Sequence, residues 1–121
     1  MAATWGITTT TNASPADILR FTKHYAALGA TQIDIYLDEP PDSLESLKEA
    51  PAISNFIMCT NKYWHDIKGS RPENLVSRQI ANATRSYRMA RFGWLGHVDT
   101  DELIMCNPPF WESLAQSTQE H

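Results

Sequence analysis

The chain has 121 residues, 42% of them hydrophobic, with ten Lys and Arg against fourteen Asp and Glu for a formal charge of −4. This length fits one domain (1–121) or part of one, and the apolar content can supply a core, which excludes a disordered chain. So mild an acidity points to neither a nucleic-acid-binding nor a membrane-surface protein, and no apolar run approaches the roughly 20 residues needed to span a bilayer.

Met1 to Gly6 holds no basic region followed by an apolar stretch, so no secretory signal is read there and a cytoplasmic location is expected. Trp5 to Thr11 is rich in β-branched residues and predicts a strand. Asn12-Ala13-Ser14-Pro15 ends it, with Ser14 as N-cap and Pro15 at the first helical position. Ile18, Phe21, Tyr25 and Leu28 recur at helical spacing, and Gly29 stops that helix. Gln32 to Leu37 predicts a second strand, with Ile33, Ile35 and Leu37 on one face. The stretch Asp38 to Asp42 contains Pro40 and Pro41 and must be a loop. Ser43 caps a short helix through Lys48, which Pro51 ends, and Ile53 to Thr60 reads as a third strand.

Asn61 to Arg71 is polar and reads as a surface loop, with Trp64 and His65 candidates for stacking on a ligand and packing the plainer alternative. Pro72 opens a long predicted helix to about Phe92, on which Val76, Ile80, Ala83, Tyr87 and Ala90 form one apolar stripe. Trp94 to Val98 predicts a fourth strand, Leu103 to Cys106 a short fifth, and Phe110 to about Gln116 the start of another helix. Cys59 and Cys106 sit in apolar runs and are expected to be buried free thiols. No Cys/His spacing suggests zinc. The acceptor-like triplets beginning at Asn12 and Asn82 read as chance matches.

Strands alternating with helices predict an α/β fold with a mostly parallel sheet and flanking helices. Such a sheet ordinarily has more elements, so the chain is expected to be truncated or half of a larger fold.

Chemistry concentrates in Trp94-Leu95-Gly96-His97-Val98-Asp99-Thr100-Asp101-Glu102, where an apolar strand runs into three carboxylates. Open α/β sheets bind ligands outside the carboxyl ends of their strands. Asp99 and Asp101, two apart, share a direction in an extended chain. Adjacent carboxylates repel, and a divalent cation relieves that repulsion. Magnesium or manganese so held keeps positions open for phosphate oxygens. The plainer alternative is an acidic surface turn.

This segment resembles the metal motif of GT-A type glycosyltransferases, closest to family-2-like members reading Trp-Leu-x-x-x-Asp-x-Asp-Glu-hydrophobic. The resemblance extends back through Asn12, His24 to Gly29, Ile33 to Leu37, Asp38 to Asp42, and Arg78-Gln79-Ile80-Ala81-Asn82. It implies a Rossmann-like nucleotide-binding half that takes a nucleotide-diphosphate-sugar donor with magnesium or manganese. By the same resemblance Asp101 is the more direct metal ligand, with Asp99 sharing the ion or near the ribose. Asp38 is placed near base or ribose, and Thr11 and Asn12 line the nucleotide pocket. Ala13 departs from the acidic residue often found there. The acceptor, a saccharide or other hydroxyl compound, is not identified, and the family's catalytic base lies downstream of the matched segment.

Arg71, Arg78, Arg85, Arg88 and Arg91 lie in or beside the long helix, and one of them, Arg78 first, is the candidate to reach the diphosphate or a neighbouring acidic loop; a solvated helix face is the plainer reading of each. His97 alternates with Asp99 and is expected to be a hydrogen-bonded core histidine. A dehalogenase-type phosphatase also uses Asp-x-Asp, but there the motif sits on the first strand, and Leu103 replaces the expected Thr or Val. An inactive or truncated transferase-like module that only binds a partner is the non-enzymatic alternative.

Overall fold

The computed structural model describes residues 4–90 and 93–100. Strand β1 (Trp5–Thr11), helix α1 (Pro15–Ala27), strand β2 (Gln32–Leu37), strand β3 (Ser54–Met58), helices α2 (Asn61–Lys68) and α3 (Leu75–Met89), and strand β4 (Trp94–His97) follow in chain order. The four strands form one sheet in the order β3-β2-β1-β4. Every pairing is parallel, with Ile7 opposite Ile33 and Gly96, and Ile35 opposite Phe56. The alternation read from the sequence therefore gives the expected α/β sheet with flanking helices. Among the described residues no helix is long and apolar enough to cross a membrane.

Helix α1 forms where its caps say it should. The Ser14 hydroxyl accepts from the Asp17 amide at 3.2 Å, and Pro15 fills the first helical position. Its Ile18, Phe21 and Tyr25 pack with Ile7, Ile33 and Ile35 in the main apolar core. Because strand side chains alternate between faces, Thr8, Thr10, Asp34, Tyr36 and Asp38 turn to the opposite face. There Tyr36 packs with Cys59, Trp64 and Ala81, so α2 and α3 cover that side. The sheet is thus apolar toward α1 and largely polar toward α3.

Several expectations need correction. Asn61 to Arg71 is not a loop: residues 61–68 are α2. The Thr60 hydroxyl caps it by accepting from the Tyr63 amide at 3.1 Å, and Gly69 ends it with a left-handed φ of 82°. Trp64 is fully buried and cannot stack on a ligand, whereas His65 is exposed. The long helix begins at Leu75 rather than Pro72, because Asn74 is its N-cap and accepts from the Ser77 amide at 2.8 Å. The helix after Ser43 shrinks to one 3-10 turn, Glu45–Leu47. His97 is exposed on β4, not a core histidine. The short fifth strand, the final helix, Cys106, Phe92 and Arg91 lie outside the described residues.

The largest correction concerns α3. Its expected apolar stripe faces away from the sheet, with Val76 62%, Ile80 61% and Tyr87 73% exposed. The residues it buries are Arg78, Ala81, Asn82 and Ser86. These meet the polar sheet face in a closed network. Ser86 Oγ donates to Asp34 Oδ2 at 2.7 Å and bonds Tyr36 Oη at 2.7 Å and Thr8 Oγ1 at 3.3 Å. Asn82 donates to Thr10 Oγ1 at 3.0 Å and accepts from Tyr63 Oη at 2.6 Å. Buried polar groups are tolerated when each finds a partner, and here they pin the helix register to the strands.

Candidate functional site

Strand β1 is flanked by β2 on one side and β4 on the other, so the strand order reverses at β1. In doubly wound sheets a crevice opens at such a reversal, at the strands' carboxyl ends. A hollow of about 450 Å³ lies there, lined by Thr11, Asn12, Asp38, Gln79, Asp99 and Thr100 among others. Four of the residues singled out in the sequence thus converge from the ends of three strands: Thr11 and Asn12, Asp38, and Asp99. Asp101 and Glu102 lie outside the described residues.

Local bonds set the shape of the hollow. The hydroxyls of Thr11 and Thr100 are 2.8 Å apart and tie the end of β1 to the chain leaving β4. Thr11 Oγ1 also accepts from the Ala13 amide at 2.9 Å, which turns the chain into α1 without a glycine. Asn12 Oδ1 accepts from the Glu39 amide at 2.8 Å and fixes the loop after β2. Helix α3 begins beside the hollow, with Leu75 of its first turn and Gln79 of its second in the wall. Its amino end lends partial positive charge to this edge of the sheet.

Arg78 is neither a solvated residue nor part of the hollow's lining. Its Nε donates to Asp38 Oδ1 at 2.8 Å and its Nη2 to Asp38 Oδ2 at 3.2 Å. Its Nη1 donates to the carbonyls of Pro72 at 2.9 Å and Glu73 at 3.0 Å. The arginine therefore reaches the acidic loop, one of the two partners considered for it, and clamps the end of β2 to the segment leading into α3. Asp38 is correspondingly sequestered: its side chain is 1% exposed, and Arg71, itself 40% exposed, adds a third contact at 3.4 Å. On the far side of Asp38 a second hollow of about 490 Å³ runs past Glu39, Asp42, Thr60 and Arg71.

Asp99 is exposed and lines the first hollow. Among the described residues no three His, Cys, Asp or Glu side chains cluster closely enough to hold a metal ion by themselves. Asp99 offers one carboxylate, which suits a hard divalent ion that keeps most of its shell for water and phosphate. Cys59 is no candidate for chemistry: burial pushes its thiol from 9.0 up to about 12. Burial likewise raises Tyr36 and Tyr63, so both remain neutral donors inside the α3 network.

Sequence reasoning missed Gln79 and Thr100 as wall residues, and held Arg71, a partner of Asp38, only as one of five arginines that could reach the acidic loop. Gln79 sits in the stretch Arg78 to Asn82 already marked by the resemblance, so its signal was present; nothing in the spacing of Arg71 told its role. Asn82, fully buried, is a helix-to-sheet pin. No family model matches this chain, and no curated protein or solved structure matches it either.

Proposed function

We propose that the chain forms the donor-binding part of a metal-dependent glycosyltransferase of the GT-A type, taking a nucleotide-diphosphate-sugar. What supports the reading is the convergence of Thr11, Asn12 and Asp99 on one hollow at the point where the strand order reverses. The residues that would hold a magnesium or manganese ion are Asp99 and, next along the chain, Asp101. When bound, such an ion neutralises diphosphate charge and stabilises the charge that develops as the nucleotide leaves.

The chain's own residues do the rest. The amino end of α3 favours the phosphates electrostatically. Thr11, Asn12 and Gln79 offer neutral polar groups along the wall. Asp38, spent on Arg78 and Arg71, shapes the wall and keeps α3 seated beside it. Arg88 lines a different hollow and takes no part.

The test is titration calorimetry with manganese and a panel of nucleoside diphosphates and their sugar derivatives. Micromolar binding that needs the metal is expected for one base. Asp99→Asn and Asp101→Asn should each weaken it by at least about tenfold, or 1.4 kcal/mol, while Arg88→Ala leaves it unchanged. Absence of metal-dependent binding across the panel would refute the reading.

A further inference from the structure

Helix α3 leaves its apolar residues on the side away from the sheet it packs on, and so calls for a second layer. Beyond Val76, Ile80 and Tyr87, Met89 is 60% exposed, and the neighbouring Ile67 of α2 is 39% exposed. Contiguous exposed apolar residues of this kind mark a contact surface. Between α2 and α3, Ile67, Ile80 and Met89 of this set border a groove of about 520 Å³ whose charged lining is Lys68, Arg85 and Arg88, with no carboxylate. Arg85 is held in place: its Nη1 donates to Tyr36 Oη at 3.1 Å, and its guanidinium lies 5.9 Å from the ring centres of both Tyr36 and Tyr63. An occupant must therefore carry apolar side chains and negative charge together.

The chain's own sequence contains such a stretch. All ten Lys and Arg fall before position 101, with ten of the fourteen Asp and Glu, so the formal charge of −4 resides in residues 101–121. That stretch has Asp101, Glu102, Glu112 and Glu120 as its carboxylates, and Ile104, Phe110, Trp111 and Leu114 among its apolar residues. It follows directly on Thr100 at the edge of the sheet where α3 begins. Twenty-one residues reach up to roughly 70 Å when extended, against about 22 Å for the length of α3. Covalent attachment also gives a local concentration in the millimolar range.

We propose that the groove between α2 and α3 is a docking site for this chain's acidic, apolar segment 101–121. The attraction joins Lys68, Arg85 and Arg88 to Glu112 and Glu120, and Ile67, Ile80 and Met89 to the segment's apolar side chains. With Asp101 assigned to the metal under the proposed function and Glu102 beside it, Glu112 and Glu120 are the carboxylates left for the groove. The groove shares no lining residue with the nucleotide hollow, and the test reads only Glu112 and Glu120.

Carbodiimide joins a lysine amine to a carboxylate only at direct contact. Applied to the full chain at low micromolar concentration, as a mixture of isotopically light and heavy protein, it should link Lys68 to Glu112 or Glu120 within one chain. Ile80→Asp and Arg88→Glu, both at exposed positions, should each cut that yield by at least about fivefold while thermal unfolding stays cooperative. Links from Lys68 only between light and heavy chains would assign the groove to a second copy and overturn the proposal. So would no Lys68 link to Glu112 or Glu120, or a yield indifferent to both substitutions. If Ile80→Asp fails to fold, Arg88→Glu alone decides.

Discussion

The buried pair Asp38–Arg78 permits a prediction with a worked magnitude. Arg78→Ala removes two of the three side-chain contacts that Asp38 makes and leaves the carbonyls of Pro72 and Glu73 without their donor. Asp38 is 1% exposed, so water cannot replace what is lost, and the remaining contact at 3.4 Å comes from an Arg71 that is itself 40% exposed. Breaking a buried pair by removing one partner costs about 3–5 kcal/mol. With Arg71 still present, the low end, about 3 kcal/mol, is expected. For a urea slope near 1.5 kcal/mol/M, the unfolding midpoint followed by tryptophan fluorescence should fall by about 2 M. The double change Asp38→Leu with Arg78→Met leaves neither charge alone and should recover more than half of the loss. A cost below about 0.5 kcal/mol for Arg78→Ala is what a solvated helix residue would give, and would refute the clamp. Strictly additive single changes in the double variant would refute it equally.

Three other outcomes follow from the same face of the sheet. Ser86→Ala removes the donor to Asp34 Oδ2 beneath α3 and one of two partners of the Tyr36 hydroxyl, which keeps Arg85, and should cost about 1–3 kcal/mol by urea unfolding; a neutral result would mean that water enters there. Trp64→Ala should cost about 3–5 kcal/mol, because the ring is fully buried against Tyr36, Cys59 and Ala81; a stable variant that lost only ligand binding would restore the surface-loop reading. Cys59 should resist a disulfide reagent at pH 8 until the chain unfolds. Its thiol is raised from 9.0 to about 12 in the folded state, so the unfolded chain releases this proton first as pH rises. The stabilisation is whole below pH 9 and is lost between 9 and 12, at most about 4 kcal/mol. Cys59→Ser should flatten that alkaline limb, and an unchanged limb would contradict the assignment.

Much of the architecture was legible because its signals are local. Ser14-Pro15 and Gly29 bracket α1, and β-branched or alternating residues mark β1 and β2. The hollow was legible in part for the same reason: residues at strand ends must meet at one edge of a parallel sheet, which brought Thr11, Asn12, Asp38 and Asp99 together. What stayed hidden depends on contacts remote in sequence. Asp38 looked available to a ligand because nothing in its own loop discloses Arg78, forty positions on. Helix α2 was masked by its polar residues, although Thr60 before it and Gly69 after it are ordinary caps.

The inverted α3 shows where periodicity stops being informative. An apolar stripe establishes that a helix has two unlike faces, but the sheet decides which face turns inward. Here the sheet face had already declared itself. In β2 the alternation is Ile33, Ile35, Leu37 against Asp34, Tyr36, Asp38, and β1 sets Thr8 and Thr10 on that same polar side. A surface bearing two carboxylates, a phenol and two hydroxyls cannot be covered by Val76, Ile80 and Tyr87 without leaving buried polar atoms unpaired, at about 1–3 kcal/mol each. Arg78, Asn82 and Ser86 satisfy those atoms, so the polar face of α3 turns inward and its apolar face is left for a further layer. The two faces of one helix thereby divide the work: the inner one fixes the wall of the hollow at the strand ends through Asp38, and the outer one borders the cationic, apolar groove.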